Sequence, residues 1–316
     1  MNNFNRRKFL SLTAATGLSA GVGSLVSSAY AQMNMSSPKI SLAQWSLHRA
    51  YGDNTLDPKK FASDTKQMFD LNAVEYVADF YTEQKTNSGY WKEMKTIASD
   101  QGVKNLLIMV DGEGELGSSS DQDRNMAINN HRPWIDAARE MGCHSIRVNA
   151  FGKGTDTQIK NALVDGLGKL TEFGTEAGVN ILIENHGLQS SNAAFIVDVI
   201  KEVDSPYIGT LPDFGNWCLS EEWGGTANNS CPYIYDPYRG VAEYLPYAKG
   251  VSAKAYAFDN MGNETQLDYA KMLKIVKEAG FNGYIGIEYE GEHLSEPDGI
   301  KATKMLIEKA WNSVLN

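Results

Sequence analysis

Four short apolar runs in the C-terminal half of the chain each end on a charged side chain: Ile181-Leu182-Ile183-Glu184, Thr210-Leu211-Pro212-Asp213, Val251-Ser252-Ala253-Lys254 and Ile285-Gly286-Ile287-Glu288. A charge at the end of an apolar strand is too costly to bury by accident. Glu184, Asp213 and Glu288 pointing into one cup would repel one another strongly unless a cation sat among them. A site built only of oxygens suits Mn2+ or Mg2+. Taken singly, each carboxylate has a plainer reading as the partner of a Lys or Arg, but matching positions at three strand ends favour a shared site.

Such a cup needs a scaffold that delivers several strand ends to one rim. Read for hydrophobic period, residues 32–316 alternate helical stretches with short β-branched runs eight times. The strands are expected at 39–47, 73–77, 103–110, 145–149, 180–184, 207–211, 250–255 and 284–289. Helices are expected at about 58–70, 89–100, 121–141, 156–177, 192–203, 238–245, 269–279 and 297–313, and Gly102, Gly142, Gly178 and Gly280 stand where helix C-caps precede strands. Strand starts fall about 30 to 40 residues apart, the length of a right-handed βα unit. Eight such units make an α/β chain that closes as a (β/α)8 TIM barrel, with chemistry at the C-terminal ends of its strands. An open doubly wound sheet would want a Gly-rich phosphate turn after its first strand, and Gln44-Trp45-Ser46-Leu47-His48 offers none.

The first 31 residues read differently. Asn5-Arg6-Arg7-Lys8-Phe9-Leu10 opens a weakly apolar run ending Ala29-Tyr30-Ala31, the pattern of a twin-arginine export signal with a small-x-small cleavage site. Thr13, Thr16, Gly17, Gly21, Gly23, Ser24 and Ser27 interrupt the run, so no stable membrane span is expected. The division is therefore a leader at 1–31 and one barrel at 32–316, the twin-arginine machinery is a partner, and the working compartment is the periplasm. The chain carries 29 Lys+Arg against 39 Asp+Glu; three of the basic residues and none of the acidic ones lie in the leader, leaving about −13 on the mature part. Nucleic acid and anionic membrane are poor partners for that balance. Cys143, Cys218 and Cys231 make no disulfide framework. Cys218 and Cys231 close one loop in an oxidising compartment, or all three stay as thiols.

The stretches Ile183-Glu184-Asn185-His186-Gly187, Pro212-Asp213-Phe214-Gly215-Asn216, Val251-Ser252-Ala253-Lys254 and Ile287-Glu288-Tyr289-Glu290-Gly291 resemble the xylose-isomerase-like family of sugar isomerases and epimerases, more narrowly its exported, twin-arginine branch. The resemblance covers nearly all of residues 32–316. It implies a small carbohydrate substrate and one divalent cation held by a Glu on strand five, an Asp after strand six, a His on strand seven and a Glu on strand eight. Carried over by position, these are Glu184, Asp213 and Glu288. Strand seven departs from the pattern: Ser252 stands where the His is expected, with Lys254 two residues on along the same face. The His that follows the strand-six Asp in the family's epimerases is Asn216 here.

Enolisation next to a carbonyl needs a base on one side of the carbon, an acid or second base on the other, and positive charge at the oxygen. Glu184 and Glu288 supply the flanking pair, and Lys254, His186 and a shared metal would hold the enediolate. The implied reaction is isomerisation or epimerisation of a small sugar or keto-sugar. The same parts serve a keto-sugar lyase or hydratase, and the missing His leaves room for a non-catalytic sugar-binding protein. Arg147 and Asn149 on strand four, Asn216, Trp217 in an aromatic segment with Trp223, Tyr233 and Tyr235, and His48 after strand one are expected around the substrate. A barrel nuclease needs several metals held largely by His; five scattered histidines and the acidic balance speak against it.

Overall fold

The computed structural model describes residues 37–227 and 230–314; the expected leader at 1–31 lies outside the described residues. Within them the chain runs β1 (Lys39–Ala43), α1 (His48–Gly52), α2 (Phe61–Phe69), β2 (Ala73–Val77), α3 (Ser88–Asp100), β3 (Lys104–Met109), α4 (Asp121–Met141), β4 (Ser145–Val148), α5 (Asp156–Ala177), β5 (Asn180–Glu184), α6 (Ala193–Val203), β6 (Ile208–Leu211), α7 (Pro237–Tyr244), β7 (Val251–Ala255), α8 (Tyr269–Glu278), β8 (Tyr284–Tyr289) and α9 (Glu296–Ser313).

All paired strands are parallel, in the order β6-β5-β4-β3-β2-β1-β8-β7. The ring closes through single bridges, Thr210 to Ala248 and Asp213 to Ser252. This is the TIM barrel that the period of the sequence implies. Strands β2, β5 and β8 have the expected bounds. β1 is shorter than expected, because Gln44–Leu47 turns into a 3-10 helix. The buried Gln44 side chain accepts a hydrogen bond from the Val77 amide at 3.0 Å, which ties that turn to the end of β2.

The helices start and stop where local chemistry demands. Thr155 and Gln158 form a reciprocal capping box at the start of α5, Ser120 caps α4 and Ser295 caps α9. Gly142 and Gly178 end α4 and α5 in the left-handed region, φ 76° and 70°, where a side chain would be strained.

Side-chain alternation divides the interior into two cores. Ile181, Ile183, Val251, Ala253, Ile285 and Ile287 face outward into the layer between strands and helices. Their neighbours face into the barrel, where Ala43, Val77, Leu107, Met109, Leu182 and Leu211 form a separate apolar cluster. Because the period is two, Glu184 shares the inward face of Leu182, Lys254 that of Ser252, and Glu288 that of Gly286. Burial of the outward residues thus fixes the carboxylates toward the barrel axis.

Candidate active site

Glu184, Asp213 and Glu288 are all buried and offer one oxygen each within 4.8 Å of one another. Register explains the convergence: Asp213 bridges to Ser252, and Lys254 stands opposite Glu288. Asn185 fixes the Asp213 turn, its Oδ1 accepting from the Asp213 amide at 2.7 Å and its Nδ2 donating to the carbonyls of Asp213 and Asn216.

The acids are not simply neutralised one by one. Lys254 Nζ lies 3.1 Å from Glu288, 2.8 Å from Glu290 and 3.8 Å from Asp213. Burial works against this ammonium, but the surrounding carboxylates outweigh it and hold it charged. Arg147 pairs with Asp111 at 2.5 Å and lies 2.7 Å from Glu184 Oε2. That second contact is an ion pair only: the N–H is not aimed at the oxygen, and Glu184 Oε2 has no aligned donor.

Ser252 Oγ sits 2.7 Å from Asp213 and 2.6 Å from Glu288. A hydroxyl has one hydrogen, so two ionised carboxylates cannot both be satisfied by it. Burial raises Asp213 to about 7, whereas Glu288 is held below the usual carboxylate range: burial opposes its charge, and Lys254 and Ser252 more than offset that. The arrangement is satisfied when Asp213 carries a proton toward Ser252 and Ser252 donates to Glu288. Glu184 is raised well above the usual range by burial, against the pull of Arg147.

Five carboxylates, Glu184, Asp213, Glu288, Asp111 and Glu290, share the two fixed cations Arg147 and Lys254, and with one buried oxygen orphaned the cup accepts further positive charge. A proton supplies it, or a divalent cation taken up by Glu184, Asp213 and Glu288. The all-oxygen donor set suits a hard ion such as Mg2+ or Mn2+. Ser252 in place of an imidazole makes the set weaker than one with four strong ligands.

Above the acids opens a cavity of about 390 Å3 lined by Trp45, Asp79, Asp111, His186, Trp223 and Glu290, with Arg147, Asn216, Lys254 and Glu288 among its deeper walls. Asn149 Nδ2 donates to Asp111 at 2.6 Å, which turns its carbonyl oxygen toward His186 Nδ1 at 2.9 Å. Nδ1 is therefore the protonated nitrogen and Nε2 the acceptor. Burial and the Arg147 charge push His186 down to about 3, so the ring is neutral. Asp111 stays ionised: burial opposes its charge, but Arg147 prevails and holds it at about 2. A groove of about 450 Å3 beside α8 and α9 is larger, but its one buried acid, Glu264, is taken up by the backbone amides of Tyr256, Ala257, Gln266 and Leu267.

Two expected substrate contacts fall elsewhere. Trp217 is fully buried against Tyr235 and Tyr244, and a Cβ on Gly240 would come within 2.2 Å of its ring. It pins the segment after β6 to α7 instead of facing the cavity. His48 lines a separate surface groove and reaches the cavity only through Trp45, on which it stacks at 4.8 Å. Conversely Asp79 and Asp111, at the ends of β2 and β3, belong to the cavity although they were not among the expected site residues. The signal that marks Glu184 was present at both: a carboxylate closing an apolar strand. Cys218 and Cys231 form a disulfide, and Cys143 is a buried free thiol.

Comparison with known proteins agrees with this architecture. The fold matches a D-tagatose 3-epimerase-like protein (16% identity, TM-score 0.64, 87% of this chain and 98% of that one). It also matches a 3-keto-D-glucoside 4-epimerase from E. coli (13%, TM-score 0.64, 86% and 99%). A third match is a xylose isomerase-like TIM barrel protein from Mycobacterium smegmatis in complex with magnesium (14%, TM-score 0.62, 89% and 98%). Among curated proteins none matches. Identities this low establish the fold. The family model described as xylose isomerase-like TIM barrel matches residues 66–310, most of the chain, and the protein belongs to that family.

Proposed function

We propose that this protein is a sugar isomerase or epimerase that moves a proton next to a carbonyl, assisted by a divalent cation. The observation that carries this reading is the convergence of Glu184, Asp213 and Glu288 within 4.8 Å at the floor of a cavity that admits a small polar molecule. Structural neighbours described as a D-tagatose 3-epimerase-like protein, an L-ribulose 3-epimerase and a 3-keto-D-glucoside 4-epimerase add support.

A cation held by the three carboxylates would supply Lewis-acid polarisation of the substrate carbonyl. The chain's own groups do the rest. Glu288 is ionised and oriented by Ser252 and Lys254, so one of its oxygens takes the α-proton. Glu184, held from strand β5 beside Arg147, returns a proton from another side. Arg147 and Lys254 place positive charge against the enediolate oxygens. His186 Nε2 accepts a hydrogen bond from a substrate hydroxyl, its ring set by Asn149 and Asp111.

Incubation with a panel of ketoses and of glycosides bearing a ring ketone in D2O tests this: deuterium enters the carbon next to the carbonyl, and Glu288→Gln slows exchange by about 10^2 to 10^4 while the fold is kept. Exchange at the wild-type rate in Glu288→Gln removes that residue from the reaction. No exchange with any member of the panel, together with tight sugar binding, marks a binding protein instead.

The enzyme is further proposed to act outside the cytoplasm, as a barrel over 32–316 released from a twin-arginine leader. Arg6-Arg7 and the Ala29-Tyr30-Ala31 site support this, as does the Cys218–Cys231 disulfide, a bond favoured in oxidising compartments. The protein recovered from the periplasm should begin at Gln32; an intact N-terminus retained in the cytoplasm would contradict it.

A further inference from the structure

The segment between β6 and α7 is fastened more firmly than a connection requires. The Cys218–Cys231 disulfide cross-links it. Its backbone also docks on the Gly187 turn after β5, where Gly187 bridges to Glu222 and the Leu188 amide donates to the Glu221 carbonyl. The docking is tight enough to exclude side chains. A Cβ on Gly187 would lie 2.3 Å from the Glu221 oxygen, and one on Gly224 2.5 Å from the Gly187 nitrogen.

What this construction holds up is Trp223. Its φ is 68°, a left-handed conformation that costs free energy for any residue but glycine. Its ring is 50% exposed, so packing does not recover that cost. The ring stands edge-on to His186 at 5.1 Å and to Phe151 at 6.0 Å, and it lines the cavity together with Gly225. A strained, exposed tryptophan set over a catalytic cavity by a cross-linked loop is arranged for contact with a ligand.

The walls state what kind of ligand. Asp79, Asp111, Glu288 and Glu290 line the cavity, while its two cations, Arg147 and Lys254, are buried and engaged with those acids. A phosphate ester would meet like charge; a neutral ring with an apolar C–H or aromatic face would stack on Trp223. Resting on the sugar-directed reading above, we propose that Trp223 forms a second subsite that receives the group attached to the reacting sugar, so that the preferred substrates are uncharged glycosides whose sugar ring itself carries the reacting ketone, and not free or phosphorylated monosaccharides.

Calorimetric titration of the mature chain with D-glucose, phenyl β-D-glucopyranoside and D-glucose 6-phosphate tests the subsite without requiring turnover. The phenyl glucoside should bind at least tenfold more tightly than glucose, and the phosphate at least tenfold more weakly. Trp223→Ala should bring the glycoside within twofold of glucose, Trp223→Phe should keep most of the preference, and Cys218→Ser with Cys231→Ser should lose at least threefold of it. Trp223→Gly should melt no lower than wild type while losing the preference, since glycine relieves the backbone strain. A glycoside preference that survives Trp223→Ala, or a phosphate ester bound as tightly as glucose, overturns the subsite and leaves the isomerase reading standing. The expected preference without deuterium exchange overturns the isomerase reading alone; no binding of any of the three sugars overturns the subsite, and deuterium exchange by itself then decides the isomerase reading.

Discussion

The inside of this barrel has two unlike walls. On one, Ala43, Val77, Leu107, Met109, Leu182 and Leu211 pack together as one apolar cluster. On the other, β7 and β8 send in Ser252, Lys254, Gly286 and Glu288, with Ser41 and Glu75 beside them from β1 and β2. Both walls are buried, but they are held in different ways. The apolar wall is positioned by shape, so its side chains are individually replaceable at the cost of a cavity. The polar wall is positioned by charge balance, so removing one member changes the ionisation of the others. Buried acids can share a small core with apolar side chains because the strand period keeps the acids near the strand ends.

The contrast is open to direct attack, most severely at Lys254. Lys254→Met should lower the unfolding free energy by about 3 to 5 kcal/mol at neutral pH, since Glu288, Glu290 and Asp213 lose their shared counter-charge. The same variant should bind Mn2+ more tightly than wild type, and added Mn2+ should restore its stability; equal metal affinity in the two proteins would refute a competition between ammonium and cation. On the other wall, Leu107→Ala should cost about 2 to 5 kcal/mol as a cavity, with no change in metal affinity and no new pH dependence. A shift of metal affinity in Leu107→Ala would dissolve the distinction between the walls.

The smallest effect concerns Glu75, where the two walls meet. Its carboxyl is raised to about 7, chiefly by burial, with the Ser41 hydrogen bond pulling the other way. Between pH 4.5 and 7 the unfolded chain therefore holds fewer protons at this position than the folded one, and stability falls as pH rises through that window. The loss amounts to about 3 kcal/mol, and Glu75→Gln should abolish its share of the decline in denaturant titrations. An unchanged pH slope in the variant would place the titration elsewhere.

The same division explains what the sequence disclosed. The extents of β5 and β8 were legible because each is a short, β-branched apolar run that meets a charged residue, and that signal is local. The convergence of Glu184, Asp213 and Glu288 was legible because eight repeated units leave strand ends few places to go. Asp79 and Asp111 carry a fainter form of the same mark, since each stands two residues beyond its strand, in a turn where a solvated carboxylate is common. Trp217 and Trp223 are six residues apart in one aromatic segment, and nothing local separates them. One fills the notch above Gly240 and the other the rim of the cavity, a difference set by contacts with α7 and the Gly187 turn. The pairing of Cys218 with Cys231 was left open by the sequence for a similar reason: it depends on how that segment folds back.

One detail of the ring bears on how the molecule forms. Between β6 and β7 the barrel is joined by the single bridges Thr210–Ala248 and Asp213–Ser252, the Phe214 amide donating to the Ser252 carbonyl and the Ser252 amide to the Pro212 carbonyl. The seam of the barrel thus lies at the residues that assemble the acid cup. Until that seam is closed, Asp213 and Glu288 have no common hydroxyl between them, and the site exists only in chains that have finished folding.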